Sequence, residues 1–233
     1  MQEYVSPNGR LVCNTQTAYV LALHFDLLPE NLRPQAVERL VQDIKRHGNH
    51  LTTGFLGTPY LCHVLTRFGK NDVAYDLLNQ ETYPSWLYPV KKGATTIWER
   101  WDGIKPDGSF QDVSMNSYNH YAYGAIGDWM YQNMAGIDLV EPGFKKFVIA
   151  PKPGGGFTST KATYESPYGT IASSWEQQNG KTTLKISVPA NSKALVKLPS
   201  IGADKLNQLA QTQRLKLVEG ALEVGSGEYL FEW

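Results

Sequence analysis

The chain has almost no cysteine, no imbalance of charge and no long hydrophobic run. Its two cysteines, Cys13 and Cys62, are too few for a disulfide framework. Neither has a second cysteine or a spaced histidine pair beside it, so no metal site is expected, and both are read as packing residues. Lysine plus arginine and aspartate plus glutamate number 22 each, and no segment concentrates basic side chains, which argues against nucleic acid as a partner. The longest mostly apolar stretch, Ala18 to Leu28, contains His24 and Asp26 and falls well short of the ~20 apolar residues of a membrane span. Met1 to Pro7 has neither the basic nor the apolar region of a secretory signal. An exported protein after signal removal would read the same, so the compartment stays open.

What is present is a chain of 233 residues, 42% hydrophobic, enough for one large or two ordinary domains with real cores. Aromatic residues are abundant at 12%, with 6 Trp and 13 Tyr, and many fall between Tyr83 and Tyr131. That clustering suits a site for ring-shaped ligands.

The first 140 residues or so read as helices of two alternating kinds. Asn14 is placed to cap a segment running to about Leu28, apolar all round from Ala18 to Leu23 and therefore expected to be buried on every side. From Asn31 to His47, Val37, Leu40, Val41 and Ile44 recur at helical spacing among charges, with Gly48 as a stop. The pattern then repeats. Thr58-Pro59 reads as a cap followed by proline at the first helical position, before an apolar run to Phe68. Asn71 is placed to cap a second amphipathic segment bearing Val73, Ala74, Leu77 and Leu78. Such alternation fits a toroid of helical hairpins or an antiparallel bundle alike.

Periodicity stops from Pro84 to Tyr118, an irregular stretch of a length that usually carries function. Helical character returns from about His120 to Met134. Beyond Pro142 the period becomes two: runs 145–150, 158–164, 170–176, 182–188 and 194–198 are separated by turn signals, of which Asn179-Gly180 is the strongest. Two domains are expected, helical over 1–140 and an antiparallel β-sandwich or barrel over 141–233.

Glu99, between Trp98 and Trp101, is the first candidate for chemistry. Apolar neighbours raise a carboxyl pKa, which suits a general base; the alternative is a surface pair with Arg100 or Lys92. Asp102, Asp107 and Asp112 are candidates for a second carboxylate, with Asp107-Gly108 better read as a turn. His120 is expected near a helix start capped by Ser117 or Asn119, where it could meet a ligand hydroxyl or be satisfied by the backbone. Trp86, Trp98 and Trp101 offer flat faces suited to sugars, and Trp129 suits a core.

Four runs carry a resemblance. LTTGFLGTPYL from Leu51 to Leu61, TTIWERWDG from Thr95 to Gly103, SYNHYAYGAIGDWMY from Ser117 to Tyr131 and FKKFVIAPKP from Phe144 to Pro153 occur in that order. Together they resemble the bacterial α-L-rhamnosidase family of glycoside hydrolases over nearly the whole chain. The resemblance implies the end of an (α/α)6 toroid of helical hairpins followed by the C-terminal β-sandwich. It also implies inverting release of terminal α-L-rhamnose from a glycoside or polysaccharide, without a cofactor. Glu99 then matches the water-activating base and His120 a contact to the sugar, with Trp86, Trp98 and Trp101 as further binding candidates.

The family's general acid lies in an upstream acidic motif that is absent between Met1 and Leu51. Only about five helical segments are counted, against the twelve of a closed toroid. The chain is therefore expected to be a C-terminal fragment, feeble alone, its partners being the missing N-terminal portion or a second copy. Two other readings stay open: a non-catalytic carbohydrate-binding module, and a different toroid enzyme such as an α-glucan hydrolase or polysaccharide lyase.

Overall fold

A computed structural model describes residues 3–233, so the first two residues of the stretch read for a signal lie outside it. The chain divides into two compact units, 1–127 and 128–233. Among the described residues no helix is long and apolar enough to cross a membrane.

The first unit is built of two helical hairpins. Helix α1 (Gln16–His24) packs against α2 (Arg33–Arg46) and α3 (Thr58–Arg67), and α3 packs against α4 (Asn71–Leu78). No position of α1 is exposed, as its continuous apolar run demands. In α2 the buried residues Ala36, Val37, Leu40, Val41 and Ile44 form one stripe, which gives an inner helix followed by an outer one. A fifth helix, α5 (Leu87–Lys91), is short.

Helix ends differ from expectation by a residue or more. Thr15, not Asn14, caps α1, its hydroxyl accepting the Ala18 N–H at 3.2 Å. Asn14 instead accepts the Tyr19 hydroxyl at 2.7 Å, and α1 stops at His24 because Asp26 turns to a φ of 53°. Gly57 and Lys70 stand at the cap positions expected for Thr58 and Asn71. Thr58 is spent otherwise, its hydroxyl 2.8 Å from that of Thr53. Cys62 is buried as expected, but Cys13 is exposed, since it lies in the loop before α1 where no apolar partner covers it.

A buried amide joins the hairpins. Gln16 is fully buried on α1; its side chain donates to the His50 carbonyl at 3.2 Å and accepts the Thr52 N–H at 2.8 Å. The polar side chain thus satisfies backbone groups that the turn between α2 and α3 would otherwise bury unpaired. Gly57 lies against this clamp, where a Cβ would come within 2.9 Å of Thr17 Oγ1.

After a 3-10 turn (Ala122–Ala125) come a single α turn, α6 (Ile126–Trp129), and a π turn (Met130–Met134). The second unit holds two sheets. One has the order β1-β2-β6-β8-β7: β1 Ile137–Leu139, β2 Lys146–Ile149, β6 Lys193–Val196, β8 Ala221–Val224 and β7 Lys216–Val218. The other has the order β3-β4-β5-β9: β3 Ser159–Ser166, β4 Gly169–Gln178, β5 Lys181–Val188 and β9 Gly227–Glu232. Their shared core contains Phe147, Ile149, Val196 and Leu222 from the first sheet, with Ile171, Trp175, Leu184 and Phe231 from the second.

Asn179 and Gly180 have φ of 52° and 75°, the double positive φ of the tight hairpin their sequence signals. The sheets are antiparallel except for one pair: β2 and β6 run parallel. The meander β3-β4-β5 carries the chain to the other sheet and back, and such a crossover allows a parallel return. An amphipathic helix, α7 (Ala203–Thr212), adds Leu206, Leu209 and Ala210 to the core, an element that the sequence expectation of a β domain over 141–233 lacks.

The π turn leaves carbonyls that side chains of β4 satisfy. Trp175 Nε1 donates to the Met134 carbonyl and the Ser173 hydroxyl to that of Ala135, both at 2.6 Å. Gly136 follows at a φ of 81°, where a Cβ would fall 2.1 Å from the Pro151 nitrogen and 2.4 Å from the Ala150 carbonyl carbon. No side chain can be accommodated without moving backbone. Gly136→Ala should therefore destabilise the second unit by on the order of 3 kcal/mol, measured by denaturant unfolding; an unchanged midpoint would contradict this packing.

Burial also makes the first unit sensitive to alkali. It raises the Cys62 thiol from 9.0 to about 12 and the Tyr75 phenol from 10.0 to about 12. A group raised in the folded state contributes stability below its unfolded value and loses it as pH climbs through the folded one. Unfolding should become easier from about pH 9 to about pH 12. Cys62→Ala, which cannot ionise, should show a shallower fall between pH 9 and 10 in thermal melts; parallel curves would argue against it.

Candidate active site

The irregular stretch is held by aromatic rings and their polar tips. Trp101 stacks on Tyr123 at 3.7 Å with 14° between planes and meets Trp86 edge-on at 5.5 Å. Trp98 meets Tyr118 edge-on at 5.1 Å. Each such pair contributes about 1 kcal/mol beyond the area it buries. The tips tie down backbone: Trp86 Nε1 donates to the Tyr123 carbonyl at 2.9 Å, the Tyr88 hydroxyl to that of Ile104 at 2.8 Å, and the Tyr118 hydroxyl to that of Gly103 at 2.8 Å.

Gly103 occurs where only hydrogen fits. A Cβ there would meet Asn116 Oδ1 at 2.9 Å, Trp98 at 3.1 Å and Tyr118 at 3.2 Å. The glycine of the TTIWERWDG run thus lets two aromatic rings and one amide close over the chain.

On this base, residues 96–99 lie beside 117–120 in a short backbone ladder. The Glu99 N–H donates to the Ser117 carbonyl and the His120 N–H to that of Ile97, each at 2.8 Å, while the Thr96 hydroxyl donates to the Tyr118 carbonyl. The Ser117 N–H donates to Glu99 Oε2 at 2.8 Å. Ser117 therefore grips Glu99 twice, through backbone and side chain. The other carboxylate oxygen, Oε1, has no hydrogen-bond partner among the described residues. Neither Arg100 nor Lys92 pairs with Glu99: Arg100 turns to Asp102, and Lys92 reaches the Pro106 carbonyl at 3.3 Å.

His120 is fixed as firmly. Its ring stacks between Phe55 at 4.9 Å and Tyr121 at 5.4 Å, with interplanar angles of 14° and 12°. Nδ1 accepts the Ala122 N–H at 3.2 Å. Since a backbone N–H can only donate, Nδ1 carries the lone pair and Nε2 the proton. The N-cap of the 3-10 turn is Tyr121, not the Ser117 or Asn119 expected from sequence, and the histidine ring takes the turn's first N–H. Ser117 Oγ accepts the Asn119 N–H instead, at 3.2 Å.

The other carboxylates are occupied. Asp102 accepts from Gln111 at 2.6 Å and from Arg100 at 3.4 Å. Asp107 accepts the N–H and hydroxyl of Ser109 at 2.9 and 2.7 Å, and those bonds hold its carboxyl below the ordinary range. Asp112 accepts the Ser114 N–H at 2.8 Å and is lowered by the same kind of contact. Asp107 and Asp112 do turn duty, and Asp102 braces the loop from Arg100 to Gln111.

The three tryptophans do not offer the open flat faces expected from sequence, since each is at least nine-tenths buried. Trp86 has spent its N–H, while Trp101 Nε1 is buried without a partner, as is Asn116 Oδ1. Burial raises the Tyr123 phenol to about 12; Arg100 opposes the shift, and Tyr83, Asp102 and Glu99 add to it. Among the described residues no group of three His, Cys, Asp or Glu could hold a metal ion.

Sequence reasoning passed over Phe55, Tyr123 and Gln111 as site residues and gave Ser117 the wrong duty. Phe55 had a signal, an aromatic between glycines in the Leu51 to Leu61 run. The bond from Ser117 to Glu99 had none, because it is made by a backbone amide 18 positions away.

Comparison with known proteins bears on the whole chain. Residues 1–134 match the bacterial alpha-L-rhamnosidase 6 hairpin glycosidase domain, and residues 136–233 the bacterial alpha-L-rhamnosidase C-terminal domain. An alpha-L-rhamnosidase of Streptomyces avermitilis is 48% identical over 98% of this chain, and one of Formosa agariphila 45% identical over 91%. The chain spans 22% and 24% of the lengths of these two relatives. The crystal structure of the Streptomyces avermitilis alpha-L-rhamnosidase complexed with L-rhamnose superposes over 100% of this chain and 23% of its own, with a TM-score of 0.90 at 46% identity. That of the native Aspergillus terreus enzyme covers 99% of this chain and 25% of its own, with a TM-score of 0.89 at 35% identity. The helical hairpins and the sheet-rich unit after them are those of the relatives, and the chain belongs to the bacterial α-L-rhamnosidase family.

Proposed function

We propose that these residues form the C-terminal part of an enzyme that releases terminal α-L-rhamnose from glycosides or polysaccharides by inverting hydrolysis. Residues 1–140 are its share of the catalytic toroid and 141–233 its C-terminal β-sandwich domain. Glu99 is the base that activates water, and His120 contacts the sugar through Nε2–H. Trp98, Trp101 and Trp86 back the site from behind; Trp86 spends its indole N–H on the Tyr123 carbonyl, and Trp101 Nε1 is buried without a partner among the described residues.

The observation that carries this reading is the state of Glu99. One oxygen is held by the Ser117 amide while the other has no partner among the described residues. A base must keep one oxygen in place and offer the other to water, within hydrogen-bond reach of the proton it takes. A glutamate serving the surface would be paired with Arg100 or Lys92.

The general acid is not among the carboxylates beside Glu99, because Asp102, Asp107 and Asp112 are all engaged. An inverting pair stands about 6.5–9.5 Å apart with water between. The acid is supplied from outside these 233 residues, by an upstream portion like that of the longer relatives. Without it the site would bind rhamnose and not cleave it, which is the second reading: a carbohydrate-binding module.

A hybrid separates the two. Residues 1–233 placed in the matching portion of the Streptomyces avermitilis enzyme should hydrolyse an aryl α-L-rhamnoside, with β-L-rhamnose as the first product seen by NMR, while the chain alone should turn over feebly at best. Glu99→Gln in the hybrid should lower kcat by about 10²–10⁴-fold and leave KM nearly unchanged. Wild-type turnover in that variant would remove Glu99 from the role of base, and a folded but inactive hybrid would favour the binding module.

A further inference from the structure

A second polar site lies away from the residues described above. A cleft of about 230 Å³ is lined by Arg10, Asn14, Arg39, Gln42, Asp43 and Arg46. Helix α2 supplies four of these at spacings of three and four, so Arg39, Gln42, Asp43 and Arg46 lie along one face. The loop before α1 supplies the other two.

That loop is held in place before any ligand arrives. Val5 bridges to Leu11, and Ser6 Oγ accepts the Arg10 N–H at 3.0 Å. Tyr19 of α1 accepts the Leu11 N–H at 3.3 Å and donates to Asn14 at 2.7 Å.

The charges in the cleft do not balance. Three guanidiniums face one carboxylate, and that carboxylate is shared: Asp43 lies 3.3 Å from His47 Nδ1 and 3.7 Å from Arg46 Nη1. Arg10 has no ion pair or side-chain hydrogen bond among the described residues. Arg39 donates through Nη2 to the Asn8 carbonyl at 3.3 Å, while its Nε is buried without an acceptor. A buried donor left unpaired, in a cleft where like charges face each other, is costly unless an anion answers it.

We infer that this cleft binds an oxyanion, a sulfate, phosphate or carboxylate group, held by Arg10, Arg39 and Arg46 with Asn14 and Gln42 as neutral donors. The planar fork of each guanidinium matches such groups with paired N–H bonds. Arg39 and Gln42 also line an adjoining groove of about 590 Å³ that includes Val37 and Phe68. The groove gives room for a larger body bearing the anion, with an apolar face against Phe68.

The test uses the 233-residue chain and three probes: sodium sulfate, sodium phosphate and sodium acetate, titrated by calorimetry at constant ionic strength so that screening is held fixed. At least one should bind saturably at one site per chain. Tighter sulfate or phosphate assigns a tetrahedral group, and tighter acetate a carboxylate. Arg10 is exposed and Arg46 lies mostly in solvent, so Arg10→Gln and Arg46→Gln should melt like the parent chain and each weaken binding about tenfold. Arg39→Gln should weaken it further. Absence of saturable binding with all three anions, or binding unaltered in the Arg10→Gln/Arg46→Gln double variant, would overturn the proposal.

Discussion

Ser117 meets Glu99 with both its backbone N–H and its carbonyl. Its carbonyl accepts the Glu99 N–H and its own N–H donates to the Glu99 carboxylate, each at 2.8 Å. A backbone amide cannot rotate away as a side chain can, so the carboxylate is held in a direction set by the chain itself. The same ladder carries His120, whose N–H bonds Ile97 two residues before Glu99. Two side chains 21 positions apart are thereby placed on one short rigid piece. Preorganisation of this kind is what binding and catalysis require of the residues that touch a ligand.

The rest of the first unit keeps that piece in register. Gln16 closes the turn after α2, so the chain reaches Phe55 along a fixed path, and Phe55 stacks on His120. From the other side Trp101 lies on Tyr123, and Trp86 is bonded to the Tyr123 carbonyl. Burial of this aromatic layer removes water from behind the Glu99 loop while Oε1 and Nε2 remain without partners among the described residues. The two hairpins serve as the frame, and the irregular stretch that follows them carries Glu99 and His120.

Much of this architecture was legible because it rests on local rules. Buried α1 and striped α2 follow from hydrophobic periodicity, and the β4–β5 hairpin from Asn179-Gly180, whose positive φ values few other residue pairs adopt. Capping was less legible. Thr15 and Asn14 are both competent caps, and the choice is made by Tyr19, which claims Asn14 from one turn away. The parallel pairing of β2 with β6 and the presence of α7 depend on contacts between distant segments, which no local window contains. Within the site, Glu99 is marked in the sequence by its flanking tryptophans and His120 by its place before a helix start. Ser117 has no such mark, since its part is played by an amide every residue except proline possesses.

Amide hydrogen exchange measures the central claim directly. If residues 96–99 and 117–120 form one rigid piece, the amides of Glu99, Ser117 and His120 should exchange far more slowly than free peptide, with Glu99 and His120 approaching the buried amides of α3. Replacing Glu99 by alanine should speed exchange at Ser117, which loses its carboxylate acceptor, and leave His120 protected. Exchange of all three at the free-peptide rate in the parent chain would contradict the account, because a mobile loop could not hold Glu99 with one oxygen bound and the other offered.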